Sequence, residues 1–270
     1  MKEILFAIVI GSAAHFAVCG QEAGEISTDR PDYTEATDTI LPGLMQLESG
    51  FLLSRHALAS APQHQVGAPY ALFRLGLTRF AELRLDADGF TSESRLMNGE
   101  WEQHGGSSDL ELGAKVRLLD ERVHLPAFAF VAGVSFPTGS GYFSSGRVDP
   151  FLELAWSKSL PRGFSVGSNV NFRWGASETE HGYSLSVGHA LGHGFASYGE
   201  IYRISPIDGD ERAHWIANGG ITRLLGKNAQ LDLEAGHTIS ARTPHWFLGA
   251  GFAIRMHAPG MVASMLNRFH

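Results

Sequence analysis

Apolar and polar residues alternate over long parts of this chain. In residues 111–118 every second residue is apolar, and the residues between them include Glu111, Lys115 and Arg117. Residues 164–174 alternate in the same way, with small or polar residues between the apolar ones. Successive side chains of a β-strand point to opposite faces. Both stretches are therefore predicted to be strands with one apolar and one polar face.

Twelve stretches show this alternation. They are residues 45–54, 70–78, 82–89, 111–118, 127–137, 151–157, 164–174, 182–190, 195–204, 213–224, 230–239 and 246–256. The connections between them alternate between long ones, such as 55–69, 91–107 and 138–148, and short ones, such as 79–81, 158–162 and 191–193. An even number of strands joined in this way places both ends of the sheet on one side.

The pattern predicts an all-β protein, namely a transmembrane antiparallel up-and-down β-barrel of about 12 strands. Membrane strands need about 9–11 residues, and outer-membrane barrels combine short periplasmic turns with longer extracellular loops. The polar faces are rich in Gly, Ser and Asn, and four tryptophans fall near strand ends, namely Trp156, Trp174, Trp215 and Trp246. A soluble β-sandwich stays open as an alternative, because alternation alone does not reveal which face is inside.

Composition narrows the class of protein further. The formal net charge of −7 provides no basic surface, which argues against nucleic acid as a partner. The 44% of apolar residues exclude intrinsic disorder. After the first 20 residues, no stretch reaches the roughly 18 apolar residues that a membrane helix requires.

The chain is predicted to divide into four parts. Residues 1–20 have the features of a secretory signal peptide, with Lys2, an apolar run over 4–10, and Cys19 near the expected cleavage site. Residues 21–44 are expected to form a periplasmic N-terminal segment, residues 45–256 the barrel, and residues 257–270 a tail. We expect the protein in the bacterial outer membrane, with outer-membrane lipid around it.

The polar stripes of the predicted strands carry charges of both signs. If the apolar stripes face lipid, these charges face the lumen, where they either form ion pairs that hold the wall together or select solutes. They are Glu48, Arg74, Glu82, Arg84, Asp86, Glu111, Lys115, Arg117, Glu153, Arg173, Asp232, Glu234 and Arg255.

Charged residues also crowd the segment before the first strand. Asp29, Arg30, Asp32 and Glu35 are candidates for a plug, because they are able to pair with opposite charges in the lumen. Calcium binding is an alternative for the acidic residues, which include Asp38 here and the 208–210 segment later in the chain. We expect no cofactor.

Several blocks of sequence resemble a known family. They are Thr-Asp-Arg-Pro-Asp-Tyr-Thr-Glu at 28–35, Leu-Pro-Gly at 41–43, Gln-Leu-Glu-Ser-Gly at 46–50, and less specific later blocks at 109–115, 137–139, 230–233 and 249–255. Together they look like the outer-membrane transporter family associated with bacterial phenol-degradation pathways of the MetA type. The sequence departs from this family at its end, where fourteen residues follow Met256, the last residue of the final predicted strand.

The resemblance implies a porin-like transporter that passes small solutes, aromatic or hydrophobic compounds among them, without covalent chemistry. Two other functions stay open. One is an outer-membrane lipid-modifying enzyme, for which Ser165 in the Gly-Phe-Ser-Val-Gly sequence is a weak nucleophile candidate, because it falls inside a predicted strand. The other is a structural barrel that transports nothing.

Overall fold

The computed structural model describes residues 24–56, 63–97, 99–175, 179–206, 214–239 and 245–258. These residues contain fourteen strands. They are β1 (Leu44–His56), β2 (Gln63–Gly76), β3 (Ala81–Ala87), β4 (Phe90–Met97), β5 (Glu100–Ser107), β6 (Leu110–Leu119), β7 (Ala127–Phe136), β8 (Asp149–Ser159), β9 (Phe164–Trp174), β10 (Thr179–Gly192), β11 (Phe195–Pro206), β12 (His214–Leu224), β13 (Ala229–Thr238) and β14 (His245–His257).

Twelve of the strands close into a barrel. The wall runs β1, β2, β3, then β6 to β14 in chain order, and every neighbouring pair is antiparallel. The seam joins β1 to β14, from Leu44 opposite His257 to His56 opposite His245. The prediction of an antiparallel up-and-down barrel of about twelve strands is confirmed.

The two further strands form a hairpin that prolongs the wall. β4 pairs with the first half of β2, where Ala68 lies opposite Phe90, and β5 pairs with β4. The prediction of loops at 55–69 and 91–107 is therefore wrong, because strand covers most of both stretches. Backbone hydrogen bonds to a neighbouring strand form this ladder even where the side chains are polar and exposed.

The wall carries its apolar side chains on the outside. On β3, Leu83 and Leu85 are each 41% exposed, whereas Glu82 and Arg84 between them are buried at 0% and 7%. A soluble sandwich buries its apolar face, so this arrangement contradicts that alternative. Within the described residues, no helix has the length and apolar character needed to cross a membrane.

The two ends of the barrel differ. Short turns connect the strands at one end, which we call the inner end because short turns face the periplasm in outer-membrane barrels. The longer connections lie at the opposite, outer end. Trp174, Trp215 and Trp246 lie at or next to strand ends there, where an aromatic girdle is expected.

The N-terminal segment, residues 24–43, lies inside the barrel. It contacts inward-facing side chains of β1, β2, β3 and β6 on one side and of β10, β11 and β13 on the other. It joins β1 beside the seam, where the backbone N–H of Ala258 donates to the carbonyl of Gly43 at 2.8 Å. The predicted signal peptide and the tail beyond residue 258 lie outside the described residues.

Candidate functional site in the barrel lumen

Asp29 of the N-terminal segment is surrounded by three cations of the wall. Its carboxylate lies 2.7 Å from Nζ of Lys115 on β6, 3.1 Å from Arg74 on β2 and 2.5 Å from Arg84 on β3. All four side chains are at least nine-tenths buried. Buried charges persist only when they are paired, and Asp29 supplies one of the negative charges that these three cations need.

Two glutamates of the wall extend this network. Glu48 on β1 accepts the backbone N–H groups of Asp29 and Arg30 at 3.0 Å each, and lies 2.9 Å from Nη1 of Arg74. Glu82 on β3 accepts Nε of Arg74 at 2.8 Å. Both glutamate side chains are completely buried. The wall thus binds the segment through its backbone as well as its side chains.

Glu35 supplies a second carboxylate from the segment to the same side of the wall. It lies 2.8 Å from Arg84 and 2.8 Å from Lys115. Lys115 also donates to the carbonyl oxygen of Ala36 at 2.8 Å. Because Asp29 and Glu35 share the same two cations, the segment folds back on itself between them.

Arg30 lies along the wall at the seam and reaches β13. Its Nη2 lies 3.0 Å from Asp232 and 3.8 Å from Glu234, both on β13. Its guanidinium also lies over the ring of Tyr70, 5.4 Å from the ring centroid, a cation–π distance. The arginine is therefore held by two carboxylates and an aromatic face.

Glycines of the seam make room for this arginine. Gly50 on β1 and Gly251 on β14 lie opposite each other. A Cβ added to Gly50 would lie 2.8 Å from the guanidinium carbon of Arg30, and one added to Gly251 would lie 2.6 Å from its Nε. The absence of side chains here leaves the groove that the guanidinium occupies.

The middle of the segment contacts β10 and β11. The hydroxyl of Ser186 donates to Asp32 at 3.2 Å, and the backbone N–H of Tyr33 donates to Glu200 at 2.9 Å. The hydroxyl of Thr34 donates to the same carboxylate, Glu200. The segment is thus attached to three parts of the wall, which lie around the lumen.

The wall cations that bind the segment lie together on three neighbouring strands, where Glu48 and Glu82 accompany them. The cations Arg74, Arg84 and Lys115 lie on β2, β3 and β6, whereas Asp232, Glu234 and Glu200 lie on β13 and β11. The segment presents its carboxylates to the first group and its arginine to the acids of β13. The predicted lumenal and segment charges are therefore complementary in position as well as in sign.

Other predicted lumenal residues lie nearer the outer end. The hydroxyl of Tyr70 donates to Asp86 on β3 at 3.3 Å. Arg173 on β9 pairs with Glu111 on β6 at 2.6 Å. Glu153 is the exception and lies deeper, on the inward face of β8 at the level of Lys115, because both residues lie opposite Val131 in the sheet. These groups lie within the wall or pair along it, and no hydrogen bond joins them to the segment within the described residues.

Two predicted lumenal residues lie at the inner rim. Arg117 pairs with Asp38 at 3.5 Å, and its side chain is 24% exposed. Arg255 donates to the backbone carbonyls of Gly24 and Lys227. Both arginines contact the start or end of the segment, where it enters and leaves the lumen, and neither belongs to the buried network.

Proximity to these charges changes the acidity of the segment's carboxyls. Burial on its own would raise the pKa of Asp29, but the positive charges of Arg74, Lys115 and Arg84 outweigh burial and hold that pKa well below its usual range. Burial, together with the negative charge of Glu200, raises the pKa of Asp32 well above its usual range. The docked segment therefore favours the charged form of Asp29 and the neutral form of Asp32.

Several important residues were not predicted from the sequence. Glu200 lies on a strand with alternating apolar and polar residues, and its place in that alternation indicates that its side chain points into the lumen. Gln46 binds the carbonyl of Ser27 at 2.8 Å, and Tyr33 stacks on Tyr202. Their roles depend on which residue lies across the lumen, which strand periodicity does not specify.

The calcium alternative does not fit the segment. Asp29 and Glu35 pair with cations of the protein. Within the described residues, no three side chains of His, Cys, Asp or Glu lie close enough together to hold a metal ion. Residues 208–210 lie outside those residues. Ser165 lies in β9 opposite Gly188, not at the strand-to-helix turn that a nucleophile elbow requires.

Comparison with solved structures shows similar barrels. An outer-membrane channel of Pseudomonas putida F1 superposes with a TM-score of 0.62 at 14% identity, covering 85% of this chain and 100% of that one. The β domain of the Bordetella autotransporter Brka gives a TM-score of 0.52 at 14% identity, covering 78% and 99%. The translocator domain of the autotransporter NalP of Neisseria meningitidis gives 0.50 at 10% identity, covering 82% and 91%.

These likenesses and the closed wall define the class: an outer-membrane β-barrel. The model of the family described as "Putative MetA-pathway of phenol degradation" matches residues 28–256. The match covers most of the chain, and the chain belongs to this family. Among curated protein sequences, no significant match is found.

Proposed function

We propose that the protein is an outer-membrane channel for small solutes, in which residues 24–43 form a plug that closes the pore. The observation that carries this proposal is the attachment of the segment to opposite sides of the wall: Asp29 pairs with Arg84 of β3, and the backbone N–H of Tyr33 donates to Glu200 of β11, six strands away in the twelve-stranded wall. A segment attached on both sides of a lumen obstructs it.

The anchoring chemistry suits a plug that leaves and returns. Buried ion pairs contribute little net stability when both partners regain water on separation, whereas leaving one charge unpaired in a dry site costs several kcal/mol. A displaced plug exposes the cations of β2, β3 and β6 to water in the opened lumen. The network therefore specifies one docked position of the plug without making its release prohibitive.

We further propose that the solutes include small aromatic or hydrophobic compounds. The description of the family refers to phenol degradation, and the Pseudomonas putida barrel is named a channel. Inward-facing aromatic residues support the same class of solute, because Tyr202 and Phe247 are buried at 8% and 5% within the lumen.

Deletion of residues 25–39 tests the plug directly. We expect the shortened protein to show a higher single-channel conductance than the full chain in planar bilayers. A matched variant, in which a Gly/Ser sequence of equal length replaces residues 25–39, should conduct like the deletion because it lacks the anchors. Unchanged conductance in both variants would refute the plug.

The two alternative functions give different results. A structural barrel would show no solute flux in liposome swelling even after the deletion. A lipid-modifying enzyme would hydrolyse or transfer phospholipid acyl chains, and Ser165→Ala would abolish that activity. We expect solute flux from the deletion variant and no phospholipid turnover by either the wild type or Ser165→Ala.

A further inference from the structure

An apolar patch interrupts the polar lining of the lumen. Tyr202 on β11, Ile216 on β12 and Phe247 on β14 are buried at 8%, 8% and 5% and form one cluster. Tyr33 of the plug and Ile204 of β11 pack against it. The contacts that hold Asp29, Arg30 and Glu35 of the plug are mainly ion pairs, so the packing of Tyr33 against this patch is a different kind of contact.

A phenol ring already occupies the patch. The ring of Tyr33 stacks on that of Tyr202, with the centroids 4.4 Å apart and the planes inclined by 8°. The hydroxyl of Tyr33 reaches β10, where a Cβ added to Gly182 would lie 2.4 Å from the hydroxyl oxygen. Asn171 is the cross-strand neighbour of Gly182 and supplies an amide at this end. The wall therefore accommodates one hydroxylated aromatic ring.

The patch lies toward the outer end of the barrel. Ile204 is two residues from the end of β11, and Ile216 and Phe247 are each two residues from the start of their strands. All three strand ends adjoin connections at the outer end. A solute that enters from outside therefore meets the patch at the outer side of the plug.

We propose that the face of Tyr202 is a binding site for a single neutral aromatic ring, such as phenol, and that Tyr33 fills this site while the pore is closed. An incoming ring replaces that of Tyr33 and so removes one of the contacts that hold the middle of the plug to β11; the hydrogen bonds of Tyr33 and Thr34 to Glu200 are the others. Stacking favours aromatic over aliphatic rings. Glu200 lies two residues from Tyr202 on the same face, and its charge opposes aromatic carboxylates. The proposal rests on the proposed channel function.

Binding of phenol to purified protein in detergent tests the site without any membrane. Wild type must exchange the tethered ring of Tyr33 for phenol, whereas Tyr33→Ala leaves the face of Tyr202 free. We expect Tyr33→Ala to bind phenol about tenfold more tightly than wild type in isothermal titration, since tenfold corresponds to about 1.4 kcal/mol. Tyr33→Phe keeps the competing ring and should bind as weakly as wild type.

Matched variants and probes separate this site from general adsorption. Adding Tyr202→Ala to Tyr33→Ala should weaken phenol binding at least about tenfold, by the same conversion. Tyr142→Ala removes a ring that is 53% exposed outside the lumen and should leave binding unchanged. Heat-shifted gel mobility checks that each variant is folded. Cyclohexanol and benzoate should bind Tyr33→Ala more weakly than phenol does.

Each contrary result has a definite meaning. Equal phenol affinity in wild type and Tyr33→Ala, or equal binding of cyclohexanol or benzoate, overturns the aromatic site. Phenol binding that depends on Tyr33 and Tyr202 supports the site even in a barrel that conducts nothing after deletion of residues 25–39. Conduction by the deletion variant with no effect of Tyr33→Ala on binding refutes the site and leaves the channel standing.

Discussion

At the scale of single residues, the structure of the lumen depends on which opposite charges each charged side chain contacts. Asp29 pairs with three cations at once, which makes its side chain a central anchor of the segment although it precedes the first strand. Alternation along the strands predicted that Arg74, Arg84 and Lys115 point inward. It did not predict that all three converge on one carboxylate, because that depends on the path of the segment across the lumen.

Replacing Asp29 by Asn should undock the plug. The change removes the one carboxylate that Arg74, Arg84 and Lys115 share and leaves these cations with the glutamates Glu35, Glu48 and Glu82. Because counter-charges remain, we expect a cost at or below the lower end of the roughly 3–5 kcal/mol that breaking a buried ion pair usually costs. We expect a large rise in the open fraction of channels in planar bilayers. Asp38→Asn is the matched control, because Asp38 is 58% exposed and pairs with Arg117 at 3.5 Å. Equal effects of the two substitutions would contradict the role of the buried network.

Mild acid should hold the plug more tightly. The lowered pKa of Asp29 means that its contribution to docking is complete above its ordinary pKa of 3.8 and is lost only as the pH falls below that value. The raised pKa of Asp32 has the opposite sign, because docking favours its protonated form and weakens as the pH rises through the raised pKa.

The open fraction should therefore fall as the pH is lowered from neutral toward the ordinary pKa of 3.8. Asp32→Asn, which is always neutral, should lose most of this dependence. The measurement is single-channel recording of both proteins at several pH values. An open fraction that rises in acid, or an identical pH profile for Asp32→Asn, would show that another group controls docking.

At the scale of elements, the strands were predictable and the plug's path was not. Period-two alternation located the twelve barrel strands because one face of each is apolar and the other is polar. The β4–β5 hairpin was missed for the same reason, since its exposed, largely polar residues carry no such contrast. The plug contains no strand or helix among its described residues, so no periodicity exists from which to predict it.

A disulfide between plug and wall should lock the pore. The hydroxyl oxygens of Thr37 and Ser157 on β8 lie 2.7 Å apart, which places their Cβ atoms within reach of a disulfide. We expect Thr37→Cys with Ser157→Cys to be closed when oxidised and to regain wild-type conductance with reductant. Thr37→Cys alone should not respond. Undiminished conductance of the oxidised pair would mean that solutes pass around a stationary plug.

At the scale of the whole molecule, the barrel and the hairpin are separable. β3 pairs with β2 and β6 below the point where β4 and β5 begin, so the closed wall does not need the hairpin. The number of barrel strands, the placement of apolar residues outside and the family were all accessible from the sequence. The pairing of charges across the lumen was not, because residues such as Arg30 and Asp232 lie far apart in the chain.

Replacing residues 90–107 by a short turn should therefore leave the barrel folded. We expect the shortened protein to keep its heat-shifted gel mobility and its resistance to detergent before boiling. A matched deletion within β7, such as residues 129–134, removes a wall strand and should abolish both properties. Loss of the heat shift in the hairpin variant would show that the hairpin completes the wall.

The backbone contact between Ala258 and Gly43 has a kinetic consequence. The plug is covalently connected to β1 beside the seam, so a released plug stays tethered close to its binding position in the lumen. Recapture is then a unimolecular event, with an effective concentration in the millimolar range or above. The mean duration of each opening should therefore not depend on the density of the protein in the membrane.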